Sequence, residues 1–315
     1  MSIGIALSPF ALAPTANAVD GAVAIGRDIV ELGLSSLWFG QGYSHDTIAL
    51  AAVVGREVPG LEVGTSAVPI QARHPLLIAS LAQTAQAAAH GRFSLGLGLG
   101  SAWISESYGA DFVRPAARLR EFLTALTSVL DTGSADFRGE MLTAVTPMSA
   151  AVAGATPRLP VLVAAMGPQA LRVTGELADG TLPFLAGPRA LADHIVTPLT
   201  RAAERAGRPR PRIVALVPGV VTSDLPAARR AAEEHTTFYD DIPSYARIIE
   251  LSGVSRAADL VVLGDEDTIA ARIQEYFDAG ATDVVFTQTD LTTPEDQRRT
   301  WKLLGELSRA RGSAA

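Results

Sequence analysis

The 315-residue chain contains no cysteine. That excludes disulfides, zinc–thiolate and iron–sulfur ligation, and a thiol nucleophile together, and it leaves the redox compartment unmarked. Lysine is nearly missing: Lys302 stands alone among 26 basic residues, and the rest are arginine. Acidic residues number 33, so the formal net charge is -7. An acidic chain without a basic stripe does not suit nucleic acid, which is not an expected partner. Long hydrophobic runs are also lacking. No window reaches the roughly 18 consecutive apolar residues of a membrane span, so no membrane partner is expected. Ile3–Ala13 is apolar and Ala16-Asn17-Ala18 resembles a cleavage site, yet no Lys or Arg precedes Arg27 to form a secretory basic region. A buried strand and a loop fit better. The expectation is a cytoplasmic protein.

What is present is 48% hydrophobic residues, with 28 glycines and 19 prolines spread along the chain. Short apolar runs alternate with amphipathic helical stretches. The runs are Ile3–Leu7, Ser36–Phe39, Leu61–Val68, Phe93–Leu97, Val161–Ala164, Thr181–Phe184, Ile213–Val221 and Asp283–Thr287. Most are followed by a helix: Val19–Leu32 ending at Gly33, Asp46–Arg56 with Asp46 as N-cap, and Pro75–Ala89 are the first three. Alternation of this kind predicts a parallel sheet, and eight units favour a closed barrel over an open doubly wound sheet. The expected fold is α/β, a single (β/α)8 TIM barrel over residues 1–315. It carries an insertion after the fourth unit, with a small hairpin near Phe137–Glu140, and extra helices within Ala227–Phe277, before the last strand.

A barrel of this type works at the C-terminal ends of its strands. Gly96-Leu97-Gly98-Leu99-Gly100-Ser101 follows the fourth strand. It is neither a dinucleotide fingerprint nor a P-loop, and no helix is predicted until after Tyr108. Its glycines let backbone approach a flat ring closely. Ala165-Met166-Gly167-Pro168-Gln169 joins the fifth strand to a helix start, a ready anion site or an ordinary tight turn. Trp103, Tyr43, Phe10 and Phe184 sit where aromatics wall a pocket or simply pack. His74 reads as structural. No histidine has a metal spacing, so no metal site is expected. No serine lies in a nucleophile elbow.

Taken in order, several segments resemble the luciferase-like monooxygenase superfamily. They are Ser36–Phe39, Val63–Ser66 with Arg73-His74-Pro75, Gly91–Gly98, Phe137–Glu140, Gly167–Ala170 with Ala178-Asp179-Gly180, and Ala279–Asp283. Within it the chain is most similar to the coenzyme F420 (deazaflavin) dependent oxidoreductases, with FMN-dependent members as the alternative. The resemblance implies a non-prolyl cis peptide at Ser66–Ala67, behind the cofactor ring. It implies ring-edge contacts from Gly98, Leu99, Gly100 and Ser101, and phosphate contacts from Ala165, Met166, Gly167, Pro168 and Gln169. Sugar-phosphate dehydrogenases of the family carry a His after strand two and a Glu after strand four. Gly42 and Ser101 stand there instead, so that substrate and that acid–base pair are not implied, and no catalytic acid or base is assigned. The expected activity is hydride transfer between F420 and a small organic substrate held by Phe10, Gln41, Trp103 and Phe184. An FMN-dependent monooxygenase with a separate reductase is the alternative, and a cofactor-carrying barrel without turnover is a third reading. The sequence leaves room for a homodimer.

Overall fold

The computed structural model describes residues 2–312. In chain order the elements are β1 (Ser2–Leu7), α1 (Ala18–Leu32), β2 (Ser36–Phe39), α2 (Thr47–Glu57), β3 (Glu62–Thr65), β4 (Val68–Pro69) and α3 (Pro75–Ala88). Next come β5 (Phe93–Gly98), α4 (Ala102–Ser107), α5 (Pro115–Thr132), a hairpin of β6 (Asp136–Arg138) and β7 (Thr143–Val145), β8 (Val161–Ala164) and α6 (Pro168–Leu177). Then follow β9 (Gly180–Thr181), α7 (Pro188–Ala190) running through a π-helical turn (Leu191–Val196) into α8 (Thr197–Arg205), and β10 (Arg212–Val221). The chain ends with α9 (Leu225–Asp240), α10 (Pro243–Leu251), a 3-10 turn (Ala257–Leu260), β11 (Val262–Gly264), α11 (Glu266–Asp278), β12 (Asp283–Thr287) and α12 (Pro294–Gly312).

Hydrogen bonding runs β12-β1-β2-β3-β5-β8-β9-β10 and returns to β12, all parallel, which closes an eight-stranded barrel. The local chemistry explains the units. Asn17 Oδ1 accepts the Val19 and Asp20 N–H groups at the start of α1, and Gly33 ends it at φ 95°. Asp46 caps α2 by accepting from Ile48 and Ala49 N–H, and Pro75 opens α3 in the first turn. The strands are buried on both faces, as parallel strands under helices must be.

Three stretches depart from the sequence expectation. The third strand is split into β3 and β4, although the cis peptide at the break, between Ser66 and Ala67, is where the resemblance put it. Thr181–Phe184 pairs regularly only at Gly180–Thr181 and rejoins through one bridge, Phe184 to Leu216, because Pro183 has no N–H for a ladder. A helix does begin before Tyr108: α4 starts directly after the glycine-rich segment, with Ser101 Oγ accepting the Ile104 N–H at 3.3 Å. Six residues with one cap carry too little periodic pattern to announce a helix.

The extra segment before the last strand sits above one side of the rim. Residues 214–218 of β10 pair with β12, whereas Gly219–Val221 run on and pair with β11. That extension carries α9 and α10 beyond the barrel proper.

The barrel interior is layered. At the lower end Arg212, Asp283, Glu62, Ser94 and Ser2 form one hydrogen-bonded network. Above it the fully buried Trp38 packs with Ala6, Leu162, Leu182, Val214 and Val285. The Arg212 guanidinium lies 5.6 Å from the Trp38 ring centre. Gly64 makes room for the indole, since a Cβ there would fall 2.4 Å from Trp38 Cε3. Ala67, Ala164 and Phe184 pack on top of this layer and floor the mouth.

Candidate active site

The mouth is asymmetric, and the strand ends make it so. On one side the strand ends carry small residues: Gly40 directly after β2, Ser66 directly after β3, Gly98 closing β5 and Ala164 closing β8. On the other, Phe184 follows β9 and is backed by Tyr239 of α9 and Tyr245 of α10, ring centres 5.2 and 6.1 Å away. Small residues therefore border the mouth on one side and aromatic rings on the other.

On the small-residue side, Gly98 is half-buried, and a Cβ there would find Ala67 Cβ at 3.7 Å, an ordinary contact. Leu99 packs partly against the core, and its carbonyl accepts the Gln71 amide N–H at 2.9 Å. Gly100 has φ 75°, and its missing side chain accommodates Gln71 Cγ. The Ser101 hydroxyl is committed to capping α4.

One strand further on, Ala165 is buried and Met166 packs partly against the core. Gly167 is the N-cap of α6, and no side chain accepts the N–H groups of the first turn. Pro168 occupies that turn and is exposed, as is Gln169. No heavy atom lies within 4 Å of a Cβ built on Gly167. An uncapped helix start facing open space is the geometry that accepts an anion.

The aromatic residues organise themselves more than the sequence suggested. All close ring pairs among the described residues belong to one string. Tyr108 touches Tyr43, which meets Trp103 at 6.3 Å; Trp103 meets Phe238 at 6.0 Å, and Phe238 leads to Tyr239 at 5.6 Å. Tyr239 then joins Phe184 and Tyr245. Of the predicted substrate residues, Trp103 and Phe184 therefore share one surface. Phe10, 79% exposed, stands apart from the string after β1.

Gln41 is a correction. Its Nε2 donates to the Gly42 and His45 carbonyls at 2.7 and 2.9 Å, and its Oε1 accepts from Thr47 N–H and Oγ1 at 3.2 and 3.0 Å. The amide is saturated by its own loop and has nothing left to offer a substrate. Phe238, Tyr239 and Tyr245 were missed. The signal is three rings within eight positions of a stretch in which the sequence shows only extra helices. Burial raises the Tyr239 hydroxyl above its ordinary range, and raises Tyr245 further with a smaller push from Tyr239, so both phenols stay neutral. His74 is structural: its Nδ1 accepts the Leu76 N–H and its Nε2 lies 2.9 Å from the Thr143 carbonyl, which the Nε2–H tautomer satisfies.

A separate groove of about 440 Å³ lies between α9, the 3-10 turn and β11. Of its charged lining, Arg256 pairs with Glu233 at 3.2 Å and with Asp259 at 3.7 Å, and Arg229 lines it as well.

Comparison with known proteins decides the family. The profile described as luciferase-like monooxygenase matches residues 1–283. The chain belongs to the luciferase-like monooxygenase family. An uncharacterized protein of Mycobacterium tuberculosis is 30% identical over 76% of this chain and 72% of its own length. A second M. tuberculosis protein, provisionally named a coenzyme F420-dependent oxidoreductase, is 24% identical over 91% of this chain and 95% of its own. Among solved structures, the coenzyme F420 dependent tetrahydromethanopterin reductase of Methanopyrus kandleri superposes with a TM-score of 0.75, at 20% identity, covering 98% of this chain and 99% of that one. The oxygenating constituent of 3,6-diketocamphane monooxygenase of Pseudomonas putida, in complex with FMN, gives 0.73 at 16% identity over 99% of both chains. The luciferase-like barrel is thus shared by F420 and FMN proteins. Among the described residues no helix is long and apolar enough to cross a membrane.

Proposed function

We propose that this luciferase-like protein transfers a hydride between coenzyme F420 and a small organic substrate at the barrel mouth. One observation carries the reading: the uncapped start of α6 at Gly167 and the unhindered backbone at Gly98 lie on neighbouring strand ends, β8 and β5. A planar, phosphorylated molecule has use for both. F420 rather than FMN is favoured by the F420-named relative that runs nearly the full length of the chain.

Each group then has a task. Ala165–Gln169 would hold the phosphate by N–H groups and the helix dipole. Gly98–Ser101 would border the ring edge, and Ser66–Ala67 would lie behind the ring. When bound, the deazaflavin supplies the hydride chemistry, and the protein supplies position. Trp103 and Phe184 would orient the substrate against the ring, and near-contact placement is the main catalytic device. The aromatic string would keep water from the reacting face.

Titration of the purified protein with F420 and with FMN, followed by cofactor fluorescence, tests this. Micromolar binding of F420 is expected. Binding of FMN alone would replace the reading by an FMN-dependent monooxygenase served by a separate reductase.

A further inference from the structure

Trp103 and Phe238 meet edge to face, with ring centres 6.0 Å apart and planes at 68°. They come from separate parts of the rim, with β8 and β9 between: Trp103 stands on α4, after β5, and Phe238 near the end of α9, after β10. Their contact therefore joins two parts of the rim that β8 and β9 separate. Neither ring is locked in a core, since Trp103 is 55% and Phe238 57% exposed. All exposed aromatics among the described residues (Phe10, Tyr43, Trp103, Tyr108 and Phe238) belong to segments that follow the C-terminal ends of strands. An exposed apolar patch gathered at one mouth marks a binding surface.

The helix that holds Trp103 lies between two glycines. Helix α4 is bracketed by Gly100 at φ 75° and Gly109 at φ 64°. Glycine enters and leaves that left-handed region at little cost, and nothing lies within 4 Å of the Cβ position at Gly109. A short helix hung between two such points can swing as a unit. The strand ends set the chemistry of what enters. Ser8, Gly40, Ser66, Gly98, Ala164, Phe184, Pro218 and Thr287 include no ionisable side chain. Away from the α6 start, a charged group carried onto that floor would be desolvated without a partner.

We propose that Trp103 and Phe238 are the jaws of a clamp that selects an uncharged, planar, apolar substrate. The molecule enters between the two rings and replaces their mutual contact, with α4 pivoting to admit it. The inference rests on the mouth being the reaction site, and it narrows the substrate class.

Calorimetric titration with 1-naphthol, 1-naphthoate and cyclohexanol tests it, on protein loaded with F420 and on protein without cofactor. 1-Naphthol is expected to bind at least about tenfold more tightly than the anion or the non-planar alcohol. Phe238→Ala is expected to weaken 1-naphthol about tenfold, and Phe238→Tyr, which keeps a ring, to restore it. Folding of both variants is checked by their unfolding midpoints. The clamp is overturned if 1-naphthoate binds as well as 1-naphthol, or if Phe238→Ala binds 1-naphthol unchanged. Selective 1-naphthol binding by a protein that takes neither F420 nor FMN would sustain the clamp and remove the cofactor reading. Cofactor binding without 1-naphthol selectivity would remove the clamp alone.

Discussion

Arg212 grips Asp283 through two parallel hydrogen bonds, Nε to Oδ2 and Nη2 to Oδ1, both 2.9 Å, at the lower end of the barrel. The same guanidinium reaches Glu62 at 2.7 Å and faces the Trp38 ring. One arginine thereby links β10, β12, β3 and β2 far below the mouth. Burial on its own would lower its pKa, but hydrogen bonds and charge from Asp283 and Glu62 outweigh this and hold it above its ordinary value. Truncation by Arg212→Ala leaves Asp283, 8% exposed, without its cation. A loss of about 3–5 kcal/mol in unfolding free energy is expected, measured by urea denaturation. A loss below about 1 kcal/mol would show that the network is not holding the barrel floor.

The same pair sets an acid limb. Burial would raise the Asp283 carboxyl, yet the Arg212 hydrogen bonds and charge, with help from Ser2 and Thr282, hold it below its ordinary 3.8. A carboxylate depressed in the folded state contributes stability above its unfolded pKa, and that contribution fades as pH falls through the folded value. The unfolding free energy should therefore drop below about pH 4, the unfolded value, and Asp283→Asn should flatten that part of the profile. An identical acid limb in the variant would assign the effect to other carboxylates.

Gly64 is occupied by its neighbour's ring. A methyl group there would sit 2.4 and 2.5 Å from Trp38 Cε3 and Cζ3. Gly64→Ala is expected to cost about 1–3 kcal/mol through overpacking, read as a lowered thermal midpoint. Unchanged stability would mean that the indole has another place to lie.

Gly167 separates binding from folding. Its φ of -83° suits any residue, and its side-chain space is empty. Gly167→Asp should supply the missing cap and a favourable charge at the start of α6, raising stability by up to about 1 kcal/mol. The same carboxylate would repel a cofactor phosphate, so F420 affinity should fall at least about tenfold. Unaltered affinity would move the phosphate site away from α6.

Much of the frame was legible in the chain. Asp46, Gly33 and Pro75 mark helix ends because caps act on adjacent backbone, and the eight apolar runs mark strands because parallel strands are buried on both faces. The places of Gly98, closing β5, and Gly167, just beyond β8, were legible because the order of the strands in the chain is their order around the barrel. Gln41 was misjudged because local sequence gives its reach and not its bonds. Phe238 was passed over because its partner, Trp103, lies on another part of the rim.

The sequence by itself therefore determined the alternation, the caps and the strand ends, since all of these depend on residues close along the backbone. Only the tertiary structure decided which distant groups meet: Arg212 with Asp283 across 71 positions and with Glu62 across 150, and Trp103 with Phe238 from separate parts of the rim. Barrel closure is what brings such residues together. Whether a side chain is committed or free depends on those neighbours, and pattern along the chain does not carry that information.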